Sequence, residues 1–167
     1  DKTASGLVSL SGENSYSGGT NISAGTLVFA NSSSVPSTGT ITVGAGAYAG
    51  AGFSATKTSF LDRFDRTSSG VIGLDVSVYE PIDLTGFDDN IRIGTRGSVT
   101  LSSSMPITPP GSTYRLGGGG GTLGVQFKLV DGTTPRSVDL GASGSLAAGT
   151  VNLMAANTYS GNTMINA

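Results

Sequence analysis

The chain has 167 residues, of which 12% are charged, and a net charge of −2 with a sequence pI near 4.8. It contains no Cys, His or Trp. Disulfides, Cys/His zinc sites and His-based acid–base chemistry are therefore excluded, and the balanced charge gives no electrostatic footprint for nucleic acid.

A length of this order fits one domain with a buried core. Gly, Ser and Thr make up 71 of the 167 residues, a composition that disordered chains share. Here, however, the apolar residues come in short β-branched bursts. In chain order these are LVSL (7–10), TLVFA (26–30), TITV (40–43), VIGLDVSV (71–78) and TLGVQF (122–127). Such bursts predict strands. Phe60, Leu61 and Phe64 in FLDRF predict one short helical turn. The longest apolar run is far too short to span a bilayer. The chain begins at Asp1 without Met, as expected of a processed protein, an excised repeat or a fragment.

The end of the chain repeats its beginning. Aligning Val8–Ala24 with Val151–Ala167, at an offset of 143, gives nine identical pairs in 17 without a gap. They are Val8/Val151, Leu10/Leu153, Asn14/Asn157, Tyr16/Tyr159, Ser17/Ser160, Gly18/Gly161, Thr20/Thr163, Ile22/Ile165 and Ala24/Ala167. Gly6/Gly149 and Ala4/Ala147 extend the match upstream. A Gly/Ser-rich composition gives scattered Gly and Ser matches by chance. It does not keep Val, Leu, Tyr and Ile in step.

Each part of the repeat has a physical reading. V-x-L predicts a short strand, and N-x-Y-S-G a turn, with Asn bonding its own backbone and Gly at positive φ. T-x-I predicts a second strand, and the first copy continues as A-G-T-L-V-F-A, a glycine corner and a third strand. Short strands joined by Gly/Asn/Ser corners suit the coils of a β-solenoid, in which like residues stack and Asn14-type and Tyr16-type positions form ladders.

The repeat also resembles the autotransporter-associated β-strand repeat, or passenger-associated transport repeat. Leu10, Gly12, Asn14, Tyr16, Gly18, Gly19, Thr20, Gly25, Thr26 and Leu27 carry the resemblance in the first copy. Leu153, Asn157, Thr158, Tyr159, Gly161 and Thr163 carry it in the second, and Ser34–Gly50 resembles the downstream part of the unit. The resemblance spans roughly residues 5–52 and 143–167. It implies a right-handed parallel β-helix and export to the cell surface or the medium, and it implies no enzymatic activity.

The middle differs in composition. Of the 20 charged residues, 17 lie between Lys57 and Asp139, as do five of the six prolines. The expected organisation is solenoid coils at 1–52, a charged, longer-looped middle at 53–140, and a last coil at 141–167. The middle reads either as further coils or as an inserted β subdomain. The expected fold class is all-β, a solenoid with that middle region.

Three features invite a chemical reading. Asp62/Asp65, Glu80/Asp83 and Asp88/Asp89 are close carboxylates, as a glycoside-acting enzyme requires, but nearby Arg63, Arg66, Arg92 and Arg96 make them read as solvated loop charges. Asp88, Asp89 and Asn90 offer oxygen ligands without the alternating donors or distal Glu of a calcium loop. Gly117–Gly121 lacks the G-K-[ST] and helix of a phosphate-binding loop, and reads as a flexible loop or a close backbone contact. Tyr16, Tyr48, Tyr79, Tyr114 and Tyr159 are candidates for stacking on sugars. No catalytic residue, metal ligand or cofactor is expected.

The repeat residues are the expected working site: Val8, Leu10, Asn14, Tyr16, Gly18, Thr20 and Ile22 at one end, and Val151, Leu153, Asn157, Tyr159, Gly161, Thr163 and Ile165 at the other. Solenoid ends are open sheet edges, normally closed by atypical repeats, yet here both ends carry the same motif. The expected function is an extracellular or cell-surface structural protein, with copies of itself head to tail or neighbouring tandem repeats as partners. A surface adhesin or glycan-binding module is the first alternative, and a polysaccharide-acting β-helix enzyme the second.

Overall fold

The computed structural model describes residues 1–78, 80–104, 106–142, 144 and 146–166. Each predicted burst contains a strand, although in VIGLDVSV only 71–74 and in TLGVQF only 122–125 are strand, and every strand pairing is parallel. In chain order the strands are β1 (Leu7–Leu10), β2 (Thr20–Ile22), β3 (Gly25–Phe29), β4 (Ile41–Val43), β5 (Ala47–Ala51), β6 (Val71–Leu74), β7 (Ile82–Asp83) and β8 (Arg92–Gly94). They continue with β9 (Ser98–Leu101), β10 (Ile107–Thr108), β11 (Thr113–Leu116), β12 (Thr122–Val125), β13 (Ser137–Gly141), β14 (Thr150–Leu153) and β15 (Thr163–Asn166).

One sheet holds eight of these strands in the order β1-β3-β5-β6-β8-β11-β13-β15. Its spatial order is the chain order, so each strand opens a new coil and seven turns separate the first from the last. This is a β-solenoid. The register measures the coils: Leu7 pairs with Thr26 in the first turn, Tyr48 with Val71 in the third, and Val138 with Thr163 in the last. The interval widens at each of these steps, so the last coil is longer than the first. Three smaller sheets, β2-β4, β10-β7 and β14-β12-β9, form the other sides.

Residues 53–140 take the first of their two expected forms. Strands β6, β8 and β11 sit between β5 and β13 in the long sheet, so this segment consists of further coils of the same stack. The predicted helical turn is a 3-10 turn at Leu61–Arg63. Beside it Phe60 meets Phe29, Phe53 and Phe64 edge-on, with ring centroids 6.1, 6.0 and 4.9 Å apart.

Strand alternation sends every second side chain of the long sheet inward. One file runs through all seven turns: Val8, Leu27, Ala49, Ile72, Ile93, Leu116, Leu140 and Ile165. From Leu27 to Leu116 its members are buried and Leu140 is half-buried, whereas Val8 is 39% and Ile165 75% exposed. Apolar side chains stacked at the strand spacing exclude water continuously along the axis, and this file is the centre of the core.

The opposite face of the same sheet is also covered. Tyr48, Val71, Arg92 and Asp139 point away from the core file yet are at most 4% exposed. The glycine run covers the first three. Gly117 to Gly120 all have positive φ, and a Cβ on Gly119 would lie 2.6 Å from the Tyr48 ring and 2.6 Å from the Thr95 carbonyl. Five glycines occur here because backbone passes directly over backbone, so the run is the close contact rather than the flexible loop. Gly144, Leu146 and Ala147 cross the same face, with Gly144 beside Gly46, and Leu146 and Ala147 beside Ser5–Leu7.

Beneath this cover lies a buried ion network. Arg92 Nη2 is 3.0 Å from Asp139 Oδ1, and Arg115 pairs with Asp139 Oδ2. Arg92 Nη1 donates to the carbonyls of Leu116, Asp139 and Gly141. Arg92, which the sequence sets beside Asp88 and Asp89, is instead buried against Asp139. Nearby, the Tyr48 hydroxyl donates to Asp75, and burial together with the Asp75 charge pushes the Tyr48 pKa far above its ordinary value.

Candidate functional site

The two repeat copies lie in the first coil and the last. Sequence equivalence places β1 on β14 and β2 on β15, but the pairs do not share a side of the solenoid. Strand β1 belongs to the long sheet, and β14 to the three-stranded sheet. Strand β2 belongs to a side sheet, and β15 to the long sheet. The second copy is rotated by one side about the axis. Val8 opens the inward file that Ile165 closes, yet the sequence counterpart of Val8 is Val151, on another side, and that of Ile165 is Ile22. The rotation therefore shifts the motif by the step from its first strand to its second.

Local geometry survives this rotation. Tyr16 Oη lies 2.7 Å from Thr20 Oγ1, and Tyr159 Oη lies 2.7 Å from Thr163 Oγ1. Gly6 and Gly149 both take positive φ at the corner before V-x-L. Gly18 and Gly161 do not, and among the described residues positive φ occurs only at glycine. The N-x-Y-S-G turn is therefore built without a left-handed residue, contrary to the expectation from its composition.

The expected Asn and Tyr ladders between the copies do not form, because the copies are at opposite ends. Each Asn instead stitches its own coil to a neighbour. Asn14 Nδ2 donates to Ser34 O at 2.7 Å, in the next coil. Asn157 Oδ1 accepts from Leu129 N at 2.9 Å, in the previous one.

The second copy shows what a preceding coil does to the motif. Thr158 N donates to Leu129 O, and Gly161 N to Arg136 O. Ser160 donates from its N and Oγ to Asp131, at 3.0 and 2.7 Å. These bonds, and one from Arg136 N, hold the Asp131 carboxyl below its ordinary pKa. Val151 and Leu153 stack on Leu123 and Val125, and Thr163 and Ile165 on Val138 and Leu140. A Cβ on Gly161 would lie 2.4 Å from Arg136 O, whereas one on Gly18 meets nothing within 4 Å. The same contrast holds for Gly149, whose Cβ would lie 2.4 Å from Gly121 O, and Gly6. Ser17 and Ser160 match in the alignment, but the partner Asp131 has no signature in the motif, so sequence alone does not mark them as contact residues.

The other candidates are placed in local turns. Asp65 accepts from Thr67 N and Oγ1, and Asp83 from Thr85 N, which lowers both pKa values. Asp62 pairs with Lys57 and Arg66, and Asp88 accepts from Asn90 N and Nδ2. Asp89 lends its backbone carbonyl to Arg115. Of the tyrosines, Tyr48 and Tyr114 are buried, Tyr16 is exposed and Tyr159 half-buried; Tyr79 lies outside the described residues. Among the described residues no helix is long and apolar enough to cross a membrane, which leaves strand-built barrels untouched.

Both copies match one family model. It describes the passenger-associated transport repeat, and the match covers residues 2–29 and 148–167. The repeat carried by Leu10, Asn14, Tyr16 and their partners is thus this one, and its matched segments are the first coil with β3 and the last turn. The match does not extend to Ser34–Gly50. No curated protein and no solved structure matches the chain at a significant level. The repeat and the solenoid together mark a surface-passenger type of domain.

Proposed function

We propose that the chain is a structural, non-catalytic part of an extracellular or surface-displayed rod, whose repeat-bearing coils stack head to tail on copies of itself or on tandem neighbours. One observation carries this reading. Of the large apolar residues exposed by a third or more among the described ones, Leu7, Val8, Tyr16, Met154, Met164 and Ile165 fall within the two copies, leaving Val76 and Val130 elsewhere. Exposed apolar surface concentrated at two sheet edges marks sites for added strands. A cavity of about 340 Å³ lies there beside Val8, Leu10, Tyr16 and Leu27, with Asp1, Lys2 and Thr20 also in its lining, and one of about 220 Å³ lies beside Leu140, Val151, Ile165 and Asn166.

A contact between different faces of two copies does not close on itself and generates a filament. Electron microscopy of the purified chain at neutral pH tests the reading. With strands about 4.8 Å apart, each added unit of eight strands contributes eight spacings, and rods should grow in steps of roughly 38 Å. Isolated particles at all concentrations would refute stacking. Surface labelling of the producing cell tests the location separately.

A further inference from the structure

We propose that the chain self-associates by exchange: residues 8–22 of a second copy take the place that residues 151–165 occupy on the seventh coil. The proposal rests on the head-to-tail reading above and names its contact. The molecule already contains this interface. The second repeat copy docks on β12 and on the segment 129–138, and the first copy retains the docking groups. Asn14 stands for Asn157 toward Leu129 N, Ser17 for Ser160 toward Asp131, and Gly18 for Gly161 under the Arg136 carbonyl. Val8, Leu10, Thr20 and Ile22 reproduce the stacked side chains. One contact is not carried over: Asn166 Nδ2 donates to Asp139 Oδ1, and Ser23 stands at that position in the first copy.

The open side of the first copy matches the filled side of the second. Gly18 and Gly6 face empty space where Gly161 and Gly149 face backbone. Exchange fills that space, covers Val8 to the extent that Val151 is covered, and replaces one repeat by its near-equal, which is how domain swapping stays low in cost. It also gives the two sharing ends a function that simple end-on addition of β1 to β15 does not require. The tethered copy competes with an effective concentration of order mM, so exchange is expected at high protein concentration or when the second copy is weakened.

The test uses the full chain in sedimentation and hydrogen exchange. In the isolated molecule Gly18→Ala has room, while in the exchanged contact its methyl meets Arg136 O; association should weaken about tenfold or more with unchanged folding. Gly161→Ala should strengthen association by loosening the resident copy. On assembly, the amides of Thr158 and Gly161 should lose protection and those of Ser15 and Gly18 gain it. Assembly that is insensitive to Gly18→Ala and leaves Thr158 and Gly161 protected overturns exchange while keeping end-on stacking. Absence of assembly by the wild-type chain overturns both.

Discussion

Val8 and Ile165 stand at opposite ends of one inward-facing file, seven turns apart, yet the sequence counterpart of Ile165 is Ile22. One motif therefore serves two sides of the solenoid. It can do so because its strands are short, its N-x-Y-S-G turn needs no left-handed residue, and its Tyr–Thr bond is internal to the motif. The file itself predicts a gradient of mutational cost. Ile72→Ala, fully buried at mid-stack, should cost about 2–5 kcal/mol, and Val8→Ala under about 1 kcal/mol. Urea denaturation of the two variants checks this; equal costs would mean that the file does not carry the core.

Gly161→Ala and Gly18→Ala form a matched pair. The first forces a methyl against the Arg136 carbonyl and should destabilise the chain by about 1–3 kcal/mol. The second meets open space and should lie within about 0.5 kcal/mol of wild type in dilute solution. Thermal melts at low concentration separate them.

Asp139→Ala should be among the most damaging single changes. It leaves Arg92 buried without its carboxylate, at a cost of about 3–5 kcal/mol. Removing both charges with Arg92→Met and Asp139→Leu should recover much of that loss. A double variant no better than the single would show that the carbonyl contacts of Arg92, rather than the ion pair, hold this face together.

Acid should loosen the last coil first. The Asp131 pKa is lowered in the folded state by bonds from Arg136 and Ser160, so the stability it lends is present above the unfolded-state value of about 3.9 and is lost as the pH falls through the lower folded value. Hydrogen exchange of Ser160 N–H, measured from neutral pH down to about 3 and corrected for intrinsic rates, should show protection falling. Asp131→Asn should remove that pH dependence.

The architecture is legible because solenoid strands announce themselves locally. Short β-branched bursts and glycine corners such as Gly25 depend on a few adjacent residues, and the repeat depends on comparing the chain with itself. The expected ladders between the copies fail because the copies stand at opposite ends of the stack, and the sequence does not display the coils that separate them. Coils of unequal length carry the second copy past the side on which the first one sits. Arg92 and Asp139 are unreadable for a related reason. Arg92 is covered by a glycine run from another coil and Asp139 by Arg92, Arg115 and Asn166, and no local pattern around either residue records it. Gly161 reads as a turn residue, but its role, a close approach to Arg136, is set by a partner in the preceding coil.

The same crossing segments change how the molecule can come apart. A plain stack of coils has only nearest-neighbour ties, so it frays from its ends one rung at a time. Here Gly119 rests on Tyr48, and Gly144 lies against Gly46. Early rungs are thereby bound to late ones across the outside of the ladder. The stack behaves less like a zipper than like a bundle closed by a clasp, and its melting should be a single cooperative event that begins when the clasp opens.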